Sequence, residues 1–246
     1  MVIIHPLTII YILLALIFNR FNGILFLYIF GLIHELSHVF AAKIFKVNTK
    51  EIIMYPTGFN AKIDDIYLLH PIKQLIILLS GPLSYFISLL LIKILFEFNL
   101  ISSYGQRLGL EYNMMILLFN ILPIYPLDGG KIVDILLAHF FNELQCRVIR
   151  IILSFILLLL LLFVINTLGD ALIIGFIIIG FISQIVNFKK DYLLFLIKKR
   201  FSKENYKDKI NKKLTIFRFR NNYYFDKKKF FTQDEIIDKI YLREKK

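Results

Sequence analysis

The feature that most constrains this chain is a series of apolar runs, each near the length of a bilayer-crossing helix. A hydrocarbon core takes about 20 apolar residues per helix. Hydrophobic residues make up 58% of the 246 residues, above the roughly 45–50% of soluble domains. The chain therefore reads as an integral, multi-pass membrane protein. Six spans are expected, at about Val2–Phe18, Gly23–Phe45, Ile72–Phe96, Tyr112–Phe140, Val148–Asn166 and Ala171–Phe188. The third is interrupted by Ser80-Gly81-Pro82, and the fourth is broken by Pro123, Pro126 and Gly129-Gly130. The start, Met-Val-Ile-Ile-His-Pro, has no basic region and no small-residue cleavage site follows, which argues against a secretory leader. The single cysteine, Cys146, excludes an intrachain disulfide and a cysteine metal cluster.

Charge divides the chain. The 58 residues from Lys189 hold 19 Lys and Arg against 8 Asp and Glu, or +11 of the net +12. Residues 1–188 are thus expected to form a near-neutral membrane domain, and residues 189–246 a basic cytoplasmic tail. Such a tail anchors on anionic lipid or recruits an acidic protein partner; direct nucleic-acid binding is not expected. Lys43, Lys46, Lys50, Lys62 and Lys73 crowd one connection, and Arg147 and Arg150 another. With those loops inside, both termini lie in the cytoplasm. A short membrane-associated hairpin is expected from Glu51–Tyr55, Pro56-Thr-Gly58 and Phe59–Ile63. In the tail, Leu214–Arg220 and Tyr223–Lys227 read as a second hairpin turning at Asn221-Asn222. Thr232-Gln-Asp-Glu235 is a capping box opening a helix through about Leu242. The expected fold class is all-α and polytopic: six transmembrane helices, a hairpin, a broken fourth span and a small basic tail.

Inside the second span stands His34-Glu35-Leu-Ser-His38. Two histidines four apart share one helix face and can grip a single Zn²⁺, while Glu35 is placed to take a proton from water at the metal. Such groups are costly in a bilayer unless they pair, bind metal or line a wet cavity. A hydrogen-bonded His pair joining helices is the alternative. A catalytic zinc usually has three protein ligands, and Asp128, in Asn120-Ile-Leu-Pro-Ile-Tyr-Pro-Leu-Asp128-Gly-Gly, is the candidate third. Pro123 and Pro126 remove backbone donors, and Gly129 and Gly130 permit positive φ, so this insert can turn the carboxylate inward. The alternative is Asp128 as the N-cap of a helix resuming at Gly129. Asn120 could bond to the broken backbone or to a substrate peptide. His5, His70 and His139 read as interfacial, Lys131 as snorkelling, and Glu97, Asp134 and Glu143 as solvated charges.

These residues resemble a family. His34-Glu35-x-x-His38, Ser80-Gly81-Pro82 and Asn120-x-x-Pro-x-x-Pro-Leu-Asp128-Gly-Gly are similar, in order and spacing, to the site-2 proteases (peptidase M50). The run from Leu122 to Lys131 is most like the sporulation branch, and the resemblance covers residues 1–188. It implies an intramembrane zinc endopeptidase with Zn²⁺ on His34, His38 and Asp128, and Glu35 as base. For the sporulation branch it implies removal of the pro-sequence of a membrane-associated sigma factor, on the mother-cell side of the outer forespore membrane. Inhibitory membrane proteins are also implied as partners, while the oligomeric state is left open. The chain departs from the branch in lacking room for a CBS domain after Lys189. Tyr55-Pro-Thr-Gly58-Phe also differs from the family's Gly-Gly form, and no PDZ insert is present.

The reading is therefore a membrane zinc endopeptidase, with Gly58, Asn120 and Pro126 as candidate substrate contacts and the hairpin as a strand-pairing edge. The rivals are a site-2 protease of another signalling pathway, a metal-binding transporter and a catalytically silent membrane chaperone. All three expected ligands precede the tail, so truncation after about Arg200 is expected to spare zinc binding.

Overall fold

The computed structural model describes residues 2–18, 21–56, 58–63, 66–162, 168–201, 206–211, 213–226 and 229–244. Arg20, Thr57, the end of the fifth expected span at 163–166 and Lys227 of the expected tail hairpin lie outside them. The chain divides into two units, Met1–Ile66 with Leu75–Leu122, and Tyr67–Gln74 with Pro123–Lys246.

In the first unit, strand β1 (Val2–Ile4) precedes helix α1 (Pro6–Ile17). The His5 side chain caps α1 by accepting from Leu7 N–H, and Pro6 stands at its first turn, where no donor is missed. The first expected span is thus a strand and a 12-residue helix, too short to cross a ~30 Å core at about 1.5 Å per residue. Helix α2 (Phe21–Ile44) matches the second expected span and stops before Lys46, whose φ is 57°.

The expected hairpin is present as β2 (Thr49–Tyr55) and β3 (Gly58–Ile63). At the turn, Gly58 has φ 136°, a conformation side chains rarely adopt. Strand β1 pairs in parallel with β2, giving a sheet of order β1-β2-β3 in which, among the described residues, no strand pairs with the outer edge of β3. Tyr28 of α2 pins this sheet, its ring edge-on to Phe59 and its hydroxyl donating to Pro56 O.

Helix α3 (Pro71–Glu97) runs unbroken through Ser80-Gly81-Pro82. The expected interruption is not formed: one proline removes one donor from a 27-residue helix, and the remaining ladder carries the helix through. Helix α4 (Ser103–Ile121) begins earlier than expected because Ser102 caps it, accepting from Gly105 N–H at 3.1 Å. Phe26, Phe30 and Ile92 form the core that joins α2, α3 and α4.

The second unit opens on the bend 122–127 and helix α5 (Asp128–Phe140), followed by α6 (Glu143–Leu162), α7 (Leu168–Val186) and α8 (Phe188–Arg200). The fourth expected span is therefore two helices, with both glycines inside the second. Among the described residues three helices are long and apolar enough to cross a membrane, Asn22–Ile44, Pro71–Glu97 and Glu143–Leu161. The chain is a mostly helical integral membrane protein.

The tail folds. A second sheet, β4 (Asp208–Asn211), β5 (Asn221–Asp226) and β6 (Lys229–Phe231), packs with α8 and α9 (Gln233–Glu244) around Phe195, Leu196, Ile216, Ile236 and Ile237. All-α is thus corrected by two three-stranded sheets. The tail's antiparallel pair is β5–β6, not strands flanking Asn221-Asn222. Asn222 lies within β5, fully buried, where its side chain bonds Phe217, Arg220, Asn211 and Gln233. The Glu235 half of the capping box is formed: Thr232 N–H donates to Glu235 Oε2 at 2.9 Å.

Candidate metal centre

The His-Glu-x-x-His turn lies wholly within α2. Successive helical turns bring the His34 and His38 Nε2 atoms to 3.2 Å, both side chains buried. Two nitrogens about 2.0–2.1 Å from one tetrahedral zinc sit about 3.3 Å apart, so the pair has the spacing of two metal ligands. His38 Nδ1 is 2.7 Å from Ile77 O, which also accepts from the Ser80 hydroxyl. A carbonyl only accepts, so the His38 proton resides on Nδ1 and its Nε2 lone pair faces His34.

The helix opposite must make room for the rings. A Cβ at Gly81 of α3 would stand 2.2 Å from His38 Nε2 and 2.8 Å from His34 Cε1. Gly81 is the residue that lets α3 pass this close. Beside it, a small pocket is lined by His34, Phe30, Ser84, Tyr85 and Asn113. The sequence reading missed Asn113. Its signal is a lone amide in an apolar helix, and it is buried, donating to Tyr85 O at 3.1 Å.

Glu35 is held by the sheet: its Oε2 accepts Ala61 N–H at 2.9 Å. Ala61 faces Ile52 in the β2–β3 register, and its N–H points away from β2, toward the unpaired edge. The carboxylate is therefore an acceptor placed beside the His pair and tied to the hairpin.

In the second unit, Asp128 is the first residue of α5, not its N-cap; Leu127 occupies that position without a side-chain bond. Asp128 is 4% exposed, and Lys131, expected to snorkel, instead donates to its Oδ1 at 3.0 Å. Gly130 is needed for a different reason than positive φ. A Cβ there would lie 2.4 Å from Ile124 C and 2.5 Å from Tyr125 N, so its absence lets the bend rest on the first turn of α5. Pro126 packs on α7, where its Cδ would be 2.6 Å from a Cβ at Gly180. Asn120 of the first unit donates to Ile116 O in its own helix at 3.0 Å.

Asp134 and Glu143, expected in solvent, are buried. Arg218 of the tail donates Nη1 to Asp134 at 2.7 Å and Nε to Glu143 at 2.8 Å. Arg150 pairs with Asp134 at 3.2 Å and Arg147 with Glu143 at 2.8 Å. Burial works against the Arg218 charge, but Asp134 and Glu143 more than offset it and raise its pKa above the usual arginine value. His139 bonds Ile135 O and packs on Phe219.

A membrane chain with a buried His pair at metal-ligand spacing, and with a glycine where the rings need room, can be set beside known proteins. The chain is similar to members of the site-2 protease class. It is 31% identical over 136 residues to Stage IV sporulation protein FB of Bacillus subtilis (strain 168), covering 55% of this chain and 47% of that protein. It is 33% identical over 132 residues to Zinc metalloprotease MJ0392 of Methanocaldococcus jannaschii, covering 51% of this chain and 38% of that one. The chain thus spans less than half the length of these curated relatives. Among solved structures, the Site-2 Protease from Methanocaldococcus jannaschii superposes with a TM-score of 0.59 at 25% identity, covering 74% of this chain and 89% of that one. No family model matches.

Proposed function

We propose that this chain is an intramembrane zinc endopeptidase that cuts a membrane-associated protein. The observation that carries the reading is the His34–His38 pair at zinc-ligand spacing, its tautomer set by Ile77 O. His34, His38 and Asp128 are all buried and each offers one ligand atom of a kind zinc takes. Asp128 is the proposed third ligand. Bound there, zinc would supply Lewis acidity, lowering the pKa of a water and polarising a scissile carbonyl. Glu35 takes the water's proton and passes it to the leaving amine. The buried apolar surroundings keep bulk water from the reacting carbonyl. An extended substrate pairs along β3, and Gly58, Asn120 and Pro126 are the further residues proposed to contact it.

The narrower reading follows the relative named for sporulation: the substrate is the membrane-bound pro-form of a sigma factor, and inhibitory membrane proteins hold the enzyme in check. On this reading both termini are cytoplasmic and residues 189–246 meet anionic lipid. The test replaces Glu35 by Gln in the full chain reconstituted with a candidate pro-protein. Cleavage should fall by about 10²–10⁴-fold with zinc content unchanged. Zinc lost with the activity would mean Glu35 is a ligand rather than the base.

A further inference from the structure

The buried charge cluster of the second unit has no part in the proposed chemistry, yet it closes on the bend that delivers Asp128. Two carboxylates and three guanidiniums meet there, all buried or nearly so. Arg218 comes from the tail, 84 residues beyond Asp134 and 75 beyond Glu143. Among the described residues it is the group that bonds both acids, and it adds to the Arg150–Asp134 pair in joining α5 to α6. Asn222 shapes the loop that presents it, its side chain taking Phe217 N–H at 2.8 Å and donating to Phe217 O and Arg220 O.

The links continue toward Asp128. Arg150, paired with Asp134, lies 4.5 Å over the Tyr125 ring. Tyr125 N–H donates to Ser154 at 3.2 Å, and Leu127 N–H closes the turn on Ile124 O. Because Gly130 carries no side chain, the Ile124–Tyr125 backbone rests directly on the first turn of α5. The bend before Asp128 and the helix after it are therefore fixed by one set of buried ion pairs. Such pairs hold a geometry when complete and lose it when one member goes.

We propose that Arg218 is a positioning residue for Asp128: seated on Asp134 and Glu143, it fixes the α5–α6 corner and, through Arg150 and Tyr125, the angle at which the carboxylate is presented to metal. The folded tail is then part of the metal-binding machinery. This rests on Asp128 being a ligand, and it reverses the expectation that zinc binding survives loss of the tail.

The test uses the full-length protein in detergent. Zinc affinity is read by chelator competition, and coordination geometry by the visible absorption of the Co²⁺-loaded form. Arg218→Gln leaves each acid one arginine, Arg150 on Asp134 and Arg147 on Glu143. Zinc affinity should weaken about tenfold, the low end for groups that orient a ligand, with an altered cobalt band. Arg218→Lys should recover part of both. Arg200→Gln, whose partners Asp234 and Asp238 lie elsewhere in the tail, should change neither. Folded Arg218→Gln with wild-type affinity and cobalt band overturns the proposal. Asp128→Asn separates the two ideas: if it leaves zinc unchanged, the ligand assignment fails and this inference with it. Should Arg218→Gln not fold, Tyr125→Leu carries the test, since it leaves every ion pair intact. A few-fold weaker affinity supports the link, and no change overturns it.

Discussion

His34 and His38 sit on an apolar helix, with His38 bonded to the Ile77 carbonyl and both rings in the space left at Gly81. Asp128 heads a helix whose corner is tied by five buried charges and by a chain bend against Gly130. The first arrangement is set by local helix geometry and by an absence; the second by partners far away in sequence. Local geometry tolerates change until something intrudes on it. A charge cluster tolerates almost no change, because each group left unpaired carries its full desolvation cost.

The largest expected effect breaks the first region. Gly81→Ala puts a methyl group 2.2 Å from His38 Nε2, so the purified protein should no longer hold stoichiometric zinc while its helical circular dichroism stays. Full zinc content would show that α3 can move away and that the glycine is not the constraint. The second region should answer with stability. Asp134→Ala leaves Arg150 and one arm of Arg218 without their carboxylate, and should cost about 3–5 kcal/mol in denaturant unfolding; an unchanged midpoint would mean solvent reaches the cluster.

A smaller effect concerns pH. Burial pushes the Lys199 ammonium down to about 8, while an unfolded chain keeps it near 10.5. The unfolded state thus holds the proton more tightly. The penalty is fully present below pH 8 and is relieved as pH rises from there toward 10.5. Wild-type melting should move in that direction relative to Lys199→Met, which should be the more stable at pH 7; parallel profiles would show that Lys199 titrates normally. The smallest change expected is at the start of α9. Glu235→Ala removes the acceptor of the Thr232 N–H and should cost about 1 kcal/mol, and no measurable shift in unfolding would place α9 outside the cooperative unit.

The same contrast explains what could be read from sequence. Helix α2, its His pair and the β2–β3 hairpin declare themselves in adjacent residues, as does the capping box at Thr232. Strand β1 does not, because three residues pair in parallel with a strand about fifty positions later. Asp134 and Glu143 look like helix-end charges until Arg218 is folded onto them. Pro82 looks like a break, yet a long apolar helix absorbs one missing donor. Asn221-Asn222 reads as a turn by propensity, and burial of the Asn222 amide in four sets of hydrogen bonds overrides it. Gly130 was legible as a special residue but not for the right reason: the contact it allows is backbone against backbone.

An open strand edge is an invitation to unwanted pairing, and β3 is such an edge. The bond from Ala61 N–H to Glu35 has a consequence for the protein's behaviour in crowded membranes. With that donor already committed, a chain that pairs along β3, the proposed substrate included, forgoes the Ala61 bond or displaces Glu35 from it, and Lys62 beside it adds charge. Self-association through this edge is therefore discouraged by the very side chain proposed to act in catalysis. Replacing Glu35 would remove that guard as well as the base, so an inactive variant made for crystallisation or substrate trapping should be checked for aggregation before its lost activity is interpreted.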